Sequence, residues 1–508
     1  MVTWSQLVEE PLHYCRDISR ENKILIVLGT SAATLGLFFW LTRHGDKKLP
    51  PGPWGLPFLG AIHQFGEHMH LDCARLRKIY GDIFSFKLGK DLWVVVNGYP
   101  ALRETFINRG EEFAGRPMSA FEDIVHMDEE IFQKDYNDEW KKSKKFAMVA
   151  LKNFHFGSPK LEKKVNCEIE NLLTVCREKQ NGFYIRPLLE SASARVLSSV
   201  ILEGARPFTE EEFEELKEQA KAFFDSQTVT LNLSSAFLPV WLLKLLHRKQ
   251  IDEVNALLAK GKDFIKSKIK EHQAMVDPTH PRDVLDMYIS QRLDKDMTMD
   301  QVAGTILGFF SDAIKTLTQA LDTFLLFVIK HKQVQEKLHE ELDRVVGRSG
   351  QVSLSHKPDL PYLQATIYET WRLAPLAPLS APHKPISDTT LLGYHIPKNA
   401  FIFPNLHSVH SDPVIFPNPE MFNPGHFMDE EGQIVNAEYC IPFSVGRRMC
   451  LGESYAKLFT FLFLANLLHE FQFCFTYDQP EPEEKYDISA GLLYLQEPFQ
   501  ICVTPREK

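Results

Sequence analysis

The stretch PFSVGRRMCLG, Pro442 to Gly452, constrains this chain more than any other segment. It sets Phe443, Gly446, Arg448, Cys450 and Gly452 at the spacing F-x-x-G-x-R-x-C-x-G. With average residue usage, those fixed positions coincide by chance in about one chain of this length in ten thousand. Glycines before and after a cysteine let the backbone turn closely beneath a flat group, and a nearby arginine neutralises an anion. A haem has both features. The plain alternative, a buried structural thiol at Cys450, leaves the rest of the spacing without a reason.

Length permits either several average domains or one large helical enzyme, since 508 residues can bury a single sizeable core. A hydrophobic fraction of 44% against 24% charged residues marks an ordered globular chain, and 37 phenylalanines predict an aromatic-rich core. The formal net charge of −10, with no long basic tail, gives no electrostatic footprint for nucleic acid. The eight cysteines lie far apart with no CxxC pair, which argues against a disulfide framework or structural zinc and for a reducing compartment.

Ile24 to Leu41 is an 18-residue uncharged run, about 27 Å long as a helix, enough to cross a hydrocarbon core of about 30 Å. It lies behind 23 residues that include Glu9, Glu10 and Glu21, which favours an uncleaved anchor over a signal peptide. Arg43, Lys47 and Lys48 follow it and lean toward a cytosolic body. The prolines of KKLPPGPWGLPFLG, Lys47 to Gly60, then stop the helix and stiffen a linker. Two domains are expected: an anchor over 1–48 and a catalytic body over 49–508. Helical periodicity dominates from Glu210 to Val346, as in QVQEKLHEELDRVV, with Val334, Leu338, Leu342 and Val345 on one face. WVVVNG (Trp93 to Gly98) and FIFPNL (Phe401 to Leu406) read as short strands, so the body is mainly α with a minor β component.

On these residues the chain resembles the cytochrome P450 family from the anchor onward. The resemblance implies the P450 fold behind a single transmembrane helix, haem b as cofactor and Cys450 as its thiolate ligand, a ligand that favours O–O cleavage. Glu369 and Arg372 in YETWRLAP match the family's E-x-x-R helix, and FNPGHF brings His426 to the place where many members carry Arg. Trp140 and Lys144 in EWKKSKKF match W-x-x-x-R with Lys for Arg, a point charge in place of a fork. Arg448 and His383 match further positions that hold the haem carboxylates, and Phe443, Gly446 and Gly452 complete the cofactor-binding set. The anchor, the PPGP hinge, FAGRP (Phe113 to Pro117) and FNPGHF resemble the animal microsomal branch that oxidises drugs, fatty acids and steroids. This implies the endoplasmic reticulum membrane with a cytosolic catalytic domain, and electrons from NADPH through cytochrome P450 reductase, with cytochrome b5 a further candidate. It also implies a lipophilic small-molecule substrate and contact with membrane lipid. Lys141, Lys142, Lys145 and Lys152 form a basic face where the family docks its reductase.

One helix departs from the family. In GFFSDAIKTLTQAL, Thr305, Gly308, Asp312, Lys315, Thr316, Gln319 and Thr323 fall on one small-or-polar stripe of an otherwise apolar rod. A solvent-facing ion pair is the bland reading. Alignment on the family's oxygen-activating helix keeps the alcohol as Thr316, replaces its neighbouring acid by Lys315 and places Asp312 at a normally small position. Thr316, Asp312 and Lys315 are therefore the catalytic candidates. The first expectation is a monooxygenase that hydroxylates or epoxidises its substrate, with Asp312 as a displaced acid held by Lys315. A reductase-independent isomerase or dehydratase acting on a lipid peroxide is the second, and a non-catalytic haem-binding protein the third.

Overall fold

The structure, a computed structural model, describes residues 49–125, 131–153, 159–179, 182–202, 209–226, 234–277, 279–290, 298–476, 486–487, 493 and 495–507, together with 29–31 and 34. Of the candidate anchor Ile24 to Leu41, only those last four positions are described, all helical; the rest lies outside the described residues. No helix among the described residues is long and apolar enough to cross a membrane. Contacts divide the chain into units Met1–Pro50 and Pro51–Lys508, and every candidate site residue lies in the second.

That unit is mainly helical, as the periodicity predicts. Its longer described helices are α1 (Met69–Tyr80), α2 (Asp138–Asn153), α3 (Pro159–Lys179), α4 (Arg186–Ile201), α5 (Glu210–Ser226), α6 (Val240–Leu246), α7 (Arg248–Gln273), α8 (Val284–Ser290), α9 (Met299–Lys330), α10 (Lys332–Val345), α11 (Pro361–Leu373) and α12 (Glu453–Glu470). The longest, α9, starts at a capping box in which Thr298 and Gln301 satisfy each other's backbone N–H. From Ile306 through Leu317, Leu321, Phe324, Leu325 and Val328 its apolar side chains are buried around most of the helix. It packs against α4, α5, α7, α10, α11 and α12, which explains an apolar pattern wider than one face. Helix α12 is similar: Phe459, Phe461, Leu462, Phe463, Leu464, Leu467 and Leu468 are all buried. In α10, Val334, Leu338 and Leu342 enter the same core, with Val345 packed at its edge.

The sheets are small. The predicted strands are β2 (Asp91–Asn97) and β6 (Phe401–Asn405), which run parallel, with β1 (Ile83–Leu88) antiparallel on the other side of β2. A second sheet has the order β3 (Phe183–Tyr184), β10 (Gln500–Pro505), β7 (Phe471–Phe475), and β7 continues directly from α12. Two hairpins complete the set: β4 (Thr389–Leu391) with β5 (Tyr394–Ile396), and β8 (Tyr486–Asp487) with β9 (Leu495–Gln496). The β8–β9 hairpin is tied to the core through Arg186, whose guanidinium bonds both the Gln496 carbonyl and the buried Asp322 carboxylate of α9.

Candidate active site

The loop before α12 is shaped by its backbone. Cys450 N–H donates to Phe443 O at 2.9 Å, closing the turn, and Ser444 takes a left-handed φ of 62°. Gly446 has φ +85°, and a Cβ there would lie 1.9 Å from Phe106 O, so only glycine fits. Gly452 differs from the expectation. Its φ is an ordinary −87° and a Cβ would meet only Cys450 Sγ, at 3.8 Å, so close turning of the chain is not its reason. Gly452 is instead the N-cap of α12. Its N–H and that of Glu453 bond the Cys450 sulfur, the position where a helix terminus favours an anion.

Cys450 presents its sulfur to open space, although protein crowds it from below. Burial, and then the charges of Asp312 and Glu453, push its thiol up to about 11 in spite of the two N–H groups. A metal ion at the sulfur reverses that balance, because a coordinated thiol loses its proton.

Beside the loop lies a cationic corner. Arg448 is buried, stacks 3.9 Å from the Trp140 ring centroid, and donates to Ala114 O and Lys134 O, both at 2.8 Å. Lys144 lies 5.2 Å from the same centroid and donates to Arg447 O. Trp140 spends its indole N–H on Ile131 O at 3.1 Å. Arg116 is buried as well, donating to Phe132 O and Pro382 O. Burial and the neighbouring Arg116 push the Arg448 guanidinium down to about 9, and burial brings Arg116 to about 10. His383 Nδ1 faces Phe113 O at 2.8 Å, and burial with Arg116 holds the ring neutral. Cations this buried and this close need an anion. The corner therefore fits the two carboxylates of a haem, which would relieve the Arg448–Arg116 repulsion and favour a proton on His383 Nε2.

A second cluster secures the loop from behind. Arg372 forks onto Glu369 at 2.7 and 2.8 Å and donates to the carbonyls of His410, Pro419 and Met421. Glu369 Oε1 also receives Asn423 N–H at 2.8 Å and His426 Nδ1 at 3.0 Å, while His426 Nε2 faces Pro417 O. Glu369 and Arg372 are almost fully buried, so each is the other's necessary partner. Phe443 packs edge-on against Trp371 of the same helix, 5.3 Å between centroids.

Helix α9 crosses above Cys450. Phe309 and Leu451 both pack against the cluster of Ile131, Trp140 and Ala147, and helical spacing sets Asp312, Ala313 and Thr316, one and two turns on, on the same side of α9 as Phe309. The Asp312 side chain is exposed there, yet protein surrounds it closely enough that burial raises its carboxyl to about 7. No cation among the described residues offsets that shift, Lys315 included, so the expected Asp312–Lys315 ion pair is not formed. Thr316 Oγ1 donates to Asp312 O at 2.7 Å, within the helix. Most of the predicted stripe is likewise self-satisfied and buried: Thr305 donates to Gln301 O, and Gln319 to Thr323.

The family model for cytochrome P450 matches residues 50–503. The chain belongs to the cytochrome P450 family. It is 32% identical to cytochrome P450 2C44 of Mus musculus over 492 residues, covering 95% of this chain and 98% of that protein. Cytochrome P450 2C4 of Oryctolagus cuniculus is also 32% identical, over 94% of this chain and 99% of its own length. Cytochrome P450 2U1 of Rattus norvegicus is 32% identical, with 92% of each chain covered. This cytochrome P450 is accordingly a monooxygenase-type oxidoreductase whose cofactor is haem b, with electrons drawn from NADPH through a reductase.

Sequence reasoning gathered Cys450, Arg448, Trp140, Lys144 and His383 from distant segments, and missed Arg116. FAGRP served there only as a mark of resemblance, although an arginine between a close-turning glycine and a proline was a signal that its side chain points inward. Removing one partner of the buried pair tests the second cluster: Arg372→Ala leaves Glu369 uncompensated and should cost about 3–5 kcal/mol. The expected outcome is loss of soluble haem-loaded protein, followed by haem absorbance and chemical unfolding; unchanged unfolding would show the pair to be dispensable.

Proposed function

We propose that this cytochrome P450 hydroxylates or epoxidises a lipophilic small molecule, a steroid, fatty acid or xenobiotic, at the cavity between Cys450 and the Asp312–Thr316 face of α9. The observation that carries the reading is the convergence of the Cys450 sulfur, the buried Arg116–Arg448 corner, whose burial outweighs the pull of Asp135 and Glu122, and a helix face bearing an acid and an alcohol. Haem b, when bound, supplies the oxygen chemistry. Cys450 would ligate it, with Arg448, Arg116, Lys144, Trp140 and His383 along its carboxylates and Phe443, Gly446 and Gly452 shaping the loop beneath. Cys450→Ser should abolish the red-shifted carbon monoxide Soret band of thiolate haem; an unchanged band in the variant would refute the ligand.

The chain's own residues then manage protons. Thr316 has its hydroxyl hydrogen committed to Asp312 O, leaving its oxygen lone pairs to accept from water or substrate. Asp312, with its carboxyl brought near neutrality by burial, can both release and recover a proton at working pH. Lys315 is half-buried beside Thr316 and in this reading tunes the entry of water. Thr316→Ala or Asp312→Asn should lower product formation by about 10²-fold while NADPH and oxygen are still consumed, hydrogen peroxide appearing in place of product. Turnover of a lipid hydroperoxide by the wild type without reductase or oxygen, indifferent to Thr316→Ala, would replace this reading by the isomerase.

The exposed Lys141, Lys142 and Lys145 of α2, with the exposed Arg447 next to the Cys450 loop, support docking of an acidic reductase or cytochrome b5 on that side. Residues 1–48 are proposed as the anchor that holds the catalytic domain, from 49 onward, at the cytosolic face of the endoplasmic reticulum. Deleting them should release a haem-binding protein from that membrane on fractionation, whereas full-length protein that never sediments with membranes would remove the anchor from the account.

A further inference from the structure

Cys474 and Cys502 stand 28 residues apart in sequence, yet they are directly opposite each other in the antiparallel register of β7 and β10. Alternation along both strands places them on the same face. Phe471 and Phe473 of β7, with Ile501 and Val503 of β10, point into the main core. The residues between them point the other way: exposed Gln472 is opposite exposed Thr504, and half-buried Cys474 is opposite Cys502. Both thiols are free, and Cys474 Sγ lies 3.9 Å from Cys502 O. Burial, and then the neighbouring Cys502 side chain, raise the Cys474 thiol pKa. None of these groups touches the haem site, and no part of the function proposed above uses them.

We propose that Cys474 and Cys502 form a redox modification site, in which hydrogen peroxide converts the two thiols reversibly into one cross-strand disulfide. In the first step one thiol sulfur attacks peroxide: an S–O bond forms, the O–O bond breaks, and a sulfenic acid and water result. In the second, the facing thiol displaces the hydroxyl from that sulfur, forming S–S, breaking S–O and releasing a second water. The thiols together lose two electrons, and the peroxide is reduced to two waters.

Geometry brings the sulfurs within reach and keeps the bond labile. Directly opposite residues hold their Cβ atoms about 4.5–5.5 Å apart, and a disulfide takes about 3.5–4.5 Å. The strands must therefore close by ~1 Å, and a bridge made under that strain is readily returned to thiols. Half-buried Cys474 gives the oxidant an access that core cysteines such as Cys73 and Cys176 do not have, and buried Cys502 behind it is the thiol that resolves the sulfenic acid. The bridge encloses the segment carrying β8 and β9, and β9 is the strand whose Gln496 carbonyl is held by Arg186 together with Asp322 of α9. Oxidation thus staples a segment tied to the helix above the cavity.

The test uses full-length haem-loaded protein, exposed to hydrogen peroxide, alkylated without reduction, digested and weighed. The expected result is a linked peptide pair joining Cys474 to Cys502, a loss of two titratable thiols, and recovery of both with dithiothreitol. Cys474→Ser, on the outer face, should keep the haem spectrum and prevent both the linkage and the loss of thiols, whereas Cys502→Ala should leave Cys474 open to a sulfenic-acid trap. Cys474→Ala repeats the test if the serine variant fails to fold. Bridging through other cysteines, oxidation of Cys474 to sulfinic acid with Cys502 still free, or no loss of thiols in the wild type would each overturn the assignment.

Discussion

Everything at the site depends on how the Cys450 sulfur is held at the first turn of α12. From Leu458 to His469 that helix is buried on every side, which fixes its axis and keeps the N–H groups of Gly452 and Glu453 aimed at the sulfur. The left-handed turns at Ser444 and Gly446 feed the loop into that position, with Gly446 pressed on the Phe106 carbonyl. A loop with this little freedom positions a ligand atom without needing the ligand to organise it.

The electrostatics follow from that rigidity. Core burial discourages charge, yet Arg116, Arg448 and the Glu369–Arg372 pair are all buried. They are of two kinds. Glu369–Arg372 is closed, with the carboxylate and guanidinium also satisfied by His426 and by backbone groups, and it holds segments together. The Arg116 and Arg448 guanidiniums are hydrogen-bonded to carbonyls, retain their mutual repulsion, and feel Asp135 and Glu122 too weakly to offset burial. A closed pair makes structure and an open one makes a binding site; local chemistry is the same in both, and completeness separates them.

The upper wall shows the same principle with the opposite sign. Asp312 is an acid that no cation among the described residues offsets, on the side of α9 that Phe309 seats against the Trp140 cluster. Thr316 is turned back onto the helix, its hydroxyl given to the Asp312 carbonyl. In the reading proposed above, the departure from the family's usual acid and alcohol is a rearrangement of proton donors within one cavity.

Local constraints were legible in the sequence. The Pro442–Gly452 turn, the Glu369–Arg372 spacing on one helix, the strands at Trp93 and Phe401 and the apolar pattern of α9 and α10 are each specified by residues close together in the chain, through backbone sterics and periodicity. The family resemblance drew together Cys450, Arg448, Trp140, Lys144 and His383, which composition and spacing could not. Through-space relations were decided only by the tertiary structure. Arg116 joins Arg448 because β-bridging sets Gly115 against Lys384, beside His383. Lys315 does not offset the buried Asp312 carboxyl, although the i, i+3 spacing allows a pair. Cys474 meets Cys502 because strand register, which no spacing of cysteines reveals, aligns them. Sequence determines what each segment can do locally; which charges are left open, and which thiols face each other, depends on packing between segments far apart in the chain.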